Sequence, residues 1–194
     1  MNKVLKLIKS RRSVRRWTED PVRVEDLRVI IEAGLYAPSG ANTQKTKIKV
    51  LDTPKEIDIV CQHTSDCFKY SAPDKIITVL YDLDKPNNIN INYKQAHSHW
   101  QRLIWQDTAA CIQNMSIMAE ELGLKTCWVS IRQEEVHYEV IAEVLGIPDN
   151  LVIASFLFIG NSTTNIDINT FKHHGMGIKR DLDSFVINKQ EEQE

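Results

Sequence analysis

The stretch from about Trp100 to Leu122, WQRLIWQDTAACIQNMSIMAEEL, limits the possible folds most. Leu103, Ile104, Ala109, Ala110, Ile112, Met115, Ile117, Met118 and Ala119 recur at helical spacing, on more of the helix surface than a one-sided amphipathic helix buries. A helix apolar on several faces needs cover on several faces. It therefore belongs at the centre of the molecule or against a second copy of the chain, and the second use is the expectation here. Gly123 closes it, and KTCWVSI enters a strand straight from that cap.

The remaining elements follow from period and punctuation. Val4, Leu5, Leu7 and Ile8 give a short first helix. Pro21 opens a second, with Leu27, Ile30, Ile31, Gly34 and Leu35 at helical spacing, and Pro38 limits its continuation. KIKVL (47–51) alternates and reads as a strand, followed by a helix from Pro54. KIITVLY (75–81) and LVIASFLFIG (151–160) read as buried strands, and EEVHYEVIAEVLGI as a helix stopped by Gly146 and Pro148. DLDKPNNININYKQ is polar and reads as a loop. Mixed helices and strands without an internal repeat predict an α+β domain with a central sheet, a single domain over 1–186 with a polar tail over 187–194.

With 194 residues and a net charge of −2, the chain has no electrostatic reason to favour nucleic acid or an anionic membrane. No apolar run reaches the length of a membrane span. Cys61, Cys67, Cys111 and Cys127 form no CxxC pair, the pattern of reduced thiols in a cytoplasmic protein. Cys61, His63 and Cys67 cluster, as do His97 with His99 and His173 with His174, but without zinc-site spacing, so no metal is expected. No G-x-S-x-G elbow points to a nucleophile, and no catalytic side chain is assigned.

Two segments carry the functional signal. RRSVRRW groups Arg11, Arg12, Arg15 and Arg16 around Ser13, in an expected turn between helices. Guanidinium forks with a hydroxyl match phosphate oxygens, although a solvated basic patch has the same composition. APSGANTQ (37–44) is small and uncharged, suited either to ending a helix or to letting backbone approach a flat polar ligand. Lys179 and Arg180 form a further basic pair. No P-loop is present, and GMG at 175–177 lacks the preceding strand and third glycine of a dinucleotide fingerprint.

RRSVR (11–15), APSGANTQ (37–44), QDTAACIQNMSIMAEELGLKTCWV (106–129) and KRDLDSFV (179–186) occur in the order seen in the nitroreductase family of FMN enzymes, which the chain resembles over most of its length. The resemblance implies a nitroreductase-like fold, a mainly antiparallel central sheet flanked by helices, and a homodimer holding FMN at its interface. It implies that Arg11, Arg12 and Ser13 reach the FMN phosphate with Lys179 or Arg180. Arg15 would lie beside the pyrimidine edge, where positive charge favours the anionic reduced flavin. Pro38, Ser39, Gly40 and Asn42 would come from the partner and line the ring. Asp107, or Gln106, would bring a polar side chain toward it, and Trp128, Val129 and Ser130 would pass near its reactive nitrogen.

The implied activity is an NAD(P)H-driven, two-stage reduction of a nitroaromatic, quinone or similar acceptor. The same fold could instead serve a flavin-dependent dehydrogenase or dehalogenase of a biosynthetic metabolite, or a flavin-binding sensor without turnover. Two departures from the family pattern stand out. Gln44 is followed by Lys45-Thr46 where the family commonly has Pro-Trp, and residues 82–99 do not match.

Overall fold

The computed structural model describes residues 2–64, 72–83, 93–131 and 135–163. In chain order the elements are α1 (Lys3–Ser10), α2 (Val24–Leu35), β1 (Thr46–Leu51), α3 (Pro54–His63), β2 (Lys75–Asp82), α4 (Tyr93–Glu121), β3 (Lys125–Val129), α5 (Glu135–Val144) and β4 (Leu151–Gly160). Local chemistry sets several ends. Asn2 accepts from Val4 N and Leu5 N to start α1. Thr53 accepts from Glu56 N ahead of Pro54, a pairing that opens α3. Gly123 and Gly146 adopt the left-handed conformation that ends α4 and α5.

Among the described residues four strands form one antiparallel sheet in the order β1-β2-β4-β3, so β4 inserts between two earlier strands. Both faces are covered. Ile76, Leu80, Phe156 and Phe158 point to one side, where they pack with Ile57 and Val60 of α3, Ile141 of α5 and Leu145 just beyond it. Ile77, Val79, Leu157 and Ile159 point to the other, against Ile30 of α2 and Ile112, Met115 and Ala119 of α4. The period of two along β2 and β4 thus sorts neighbouring residues into two cores, and explains why these strands read as unbroken apolar runs. The α+β sheet expected from sequence is present.

Three boundaries differ from expectation. The second helix begins at Val24 rather than Pro21. The long helix begins at Tyr93, so the polar stretch carrying His97 and His99 continues a helix instead of looping; residues 84–92 lie outside the described residues. RRSVRRW is not a free turn between helices: Ser13 forms a parallel bridge with Thr126, and Val14 N donates to Thr126 O at 3.0 Å. Among the described residues β3 is the edge strand of the sheet, and this segment satisfies one of its backbone carbonyls.

Lys45-Thr46, in place of Pro-Trp, leaves β1 intact: Thr46 begins the strand, and Asp82 N donates to Lys45 O at 2.9 Å. Along α4, Ile112, Met115 and Ala119 are buried, whereas Ala109, Ala110, Ile117 and Met118 are only half-buried within one chain.

Candidate functional site

The arginine segment leaves donors open. Arg12 folds back on its own helix end, its Nη1 donating to Lys9 O and Arg11 O at 2.7 Å each, which satisfies carbonyls at the α1 terminus. The Arg11 guanidinium and the Ser13 hydroxyl have no partner among the described residues. Arg15 donates from Nη1 to Ser13 O at 3.1 Å, while its Nε is buried with no acceptor among the described residues. A buried N–H left unpaired costs about 1–3 kcal/mol. Three open donor groups over five residues therefore suit an anionic, acceptor-rich ligand.

The segment 37–44 is held in an unusual backbone. Ala41, Asn42 and Gln44 have φ of 50°, 54° and 52°. Asn tolerates this region, but for alanine and glutamine it costs about 1–2 kcal/mol each. The segment's own bonds fix the shape. Ser39 Oγ accepts from Gln44 N at 3.0 Å, Asn42 Oδ1 accepts from Gln44 Nε2 at 3.0 Å, and Asn42 N and Thr43 N donate to Ser39 O and Gly40 O. At Gly40 a Cβ would stand 2.5 Å from Leu103 Cδ2, so a side chain there meets α4 before it meets any ligand. Pro38 and Asn42 are exposed, with Ser39 and Gly40 half-buried.

Asp107 does not project into open space from α4. It is buried, and its Oδ1 accepts from Gly40 N at 2.9 Å. Its Oδ2 lies near the Tyr81 hydroxyl and Thr43 Oγ1, and none of the three has an aligned hydrogen bond among the described residues. They are close enough to act on one another: burial raises the Tyr81 pKa, Thr43 lowers it, and Asp107 raises it. Gln106 is exposed. Sequence reasoning missed Tyr81, Thr43 and Leu103, and the one available signal was a polar-tipped Tyr ending an otherwise aliphatic strand.

At the end of β3, Val129 is buried while Trp128 and Ser130 are exposed. The indole is nonetheless fixed: Trp128 Nε1 donates to Ser155 Oγ at 2.5 Å, and Ser155 Oγ donates to Val129 O at 2.8 Å. The register shift between Val79 and Leu80 puts an extra β4 residue, Ala154, beside Ser155. Such bulges re-aim side chains near sites. Just past β3, Ile131 bridges Thr64, and His63 Nδ1 lies 2.8 Å from His137 Nδ1. Among the described residues no three potential metal ligands converge. Lys179 and Arg180 lie outside the described residues.

Within one chain the loop is tied to the middle of α4, and the arginine segment lies beyond its C-terminal end. The loop is tied to Asp107, whereas Ser13 pairs with Thr126, just after α4 ends at Glu121. Asp107 and Glu121 are about 21 Å apart along the helix axis.

The Nitroreductase family model matches residues 8–161, and the chain belongs to that family. A curated relative, the NADPH-flavin oxidoreductase of Vibrio harveyi, is 24% identical over 170 residues, covering 87% of this chain and 69% of the relative. A nitroreductase family protein of Clostridium difficile shares the fold with a TM-score of 0.74 at 24% identity, over 98% of this chain and 99% of that one. A structure from Desulfovibrio desulfuricans, solved in complex with FMN, superposes with a TM-score of 0.70 at 27% identity, over 98% of both chains.

Proposed function

We infer that this protein is an FMN-dependent oxidoreductase working as a homodimer, each flavin held by the arginine segment of one chain and the 37–44 loop of its twin. The observation that carries the reading is the open donor set of Arg11, Ser13 and the buried Arg15 Nε. An FMN phosphate would take Arg11 and Ser13, with Arg12 kept on the α1 carbonyls as a brace. Arg15 Nε would donate to the carbonyl-rich pyrimidine edge, where its charge favours the reduced anionic ring. Pro38, Ser39, Gly40 and Asn42 of the partner would lie along the ring, with Trp128, Val129 and Ser130 near its reactive edge.

Dimerisation is favoured by what one chain leaves uncovered. Leu35 and Tyr36 are each 79% exposed and lead into the loop, and Trp105 of α4 is exposed as well. Val4, Leu5 and Ile8 of α1 are also uncovered. Large apolar side chains left uncovered in one chain are what a second copy would cover. A second copy would also bring together the two segments that α4 holds apart.

The chemistry supplied by bound FMN is acceptance of hydride from NAD(P)H and onward reduction of a small acceptor such as a nitroaromatic or quinone. The chain's own work is to bind, orient and shield, which is why no acid–base dyad is needed. The purified protein is expected to be yellow, to bleach anaerobically with NADH or NADPH, and to recolour with a quinone. A colourless protein that ignores added FMN would overturn the reading.

A further inference from the structure

We propose that Asp107 is a positioning residue that holds the 40–44 loop in its left-handed, flavin-ready shape without touching the flavin; the proposal rests on the FMN reading above. Three independent features converge on it. Asp107 is buried on the long helix, and the carboxylate accepts from the backbone N–H of Gly40, at the point where the loop departs from right-handed geometry. The next residues, Ala41 and Asn42, and then Gln44, hold positive φ, a state that persists only when surrounding contacts over-determine it. Gly40 is fixed from a second direction by Leu103, on the same helix one turn before Asp107.

The loop is therefore attached to α4 by a hydrogen bond and a steric stop. Among the described residues its other hydrogen bonds stay within residues 39–44. Asp107 Oδ2, the Tyr81 hydroxyl and Thr43 Oγ1 converge behind it, linking α4, the end of β2 and the loop itself. A carboxylate committed to a backbone N–H from inside the protein faces away from a ring lying on the loop's outer surface. Its effect on the cofactor is exerted through Gly40.

The test compares wild type, Asp107→Ala and Asp107→Asn. For each, FMN affinity of the apo protein is measured by fluorescence quenching, with the apo melting temperature and kcat at saturating FMN. Positioning predicts that Asp107→Ala weakens FMN at least tenfold. Asp107→Asn, whose Oδ1 can still accept from Gly40, should recover most of that affinity, and kcat at saturating FMN should stay within twofold. Unchanged affinity in Asp107→Ala with a lowered melting temperature would make the residue merely structural and overturn the proposal. Failure of Asp107→Asn to rescue would do the same, by implying that the charge itself meets the ligand.

Amide hydrogen exchange on the wild type keeps the question decidable if Asp107→Ala does not fold. Gly40 must be protected, and exchange at the free rate would overturn the proposal. A wild type that binds no FMN sinks the flavin reading itself. A wild type that binds FMN beside equally competent variants sinks only the role of Asp107.

Discussion

Burial raises the Cys61 and Cys111 thiols to about 11, Cys61 with added repulsion from Asp58. A raised pKa means the folded state holds its proton longer. The associated stability is complete below the ordinary thiol value of 9.0 and is lost as pH climbs toward 11. In a Cys67→Ser background, the native chain should react with a thiol reagent at pH 8 far more slowly than the denatured chain, and its melting temperature should fall between pH 9 and 11. Equal rates at pH 8 would contradict the assignment. At this scale the sequence was partly legible. The arginine cluster and the small-residue loop stand out as residue types. The diversion of Arg12 to Lys9 O and the turning of Asp107 toward Gly40 do not, because both depend on where chain ends fall in space. Left-handed Ala41 and Gln44 could not be read either, since neither residue type favours that region.

Helix α2 meets α4 at Gly34, where an added Cβ would lie 2.8 Å from Met115 Cγ and 2.9 Å from Cys111 Sγ. Gly34→Ala would gain about 1 kcal/mol of helix propensity, against about 1–3 kcal/mol for overpacking a filled contact. Overpacking should win, lowering the urea midpoint; a raised midpoint would show that Met115 yields freely. Elsewhere in the core, Phe156→Ala should cost about 3–5 kcal/mol by the same measurement, since Phe156 is fully buried at the sheet centre. A loss under 1 kcal/mol would contradict its central place. Apolar runs and stop residues revealed nearly every element. The start of α4 was hidden by its polar composition, and the strand order was hidden because β4 finds its neighbours through tertiary pairing.

In one chain the arginine segment and the 37–44 loop are separated by about half the length of α4, and Leu35 and Tyr36, which lead into the loop, are uncovered. On the proposed function the site is therefore a property of two chains. Its most direct test mixes two defective chains with different affinity tags: Arg11→Ala/Arg15→Ala, which lacks the donor segment, and Gly40→Val, which drives a side chain into Leu103 and distorts the loop. Each variant alone should bind almost no FMN. The purified mixed dimer should regain about one flavin per dimer, because one of its two sites combines the intact segment of one chain with the intact loop of the other. A mixed dimer as flavin-free as its parents would place both segments of each site in the same chain and contradict the account.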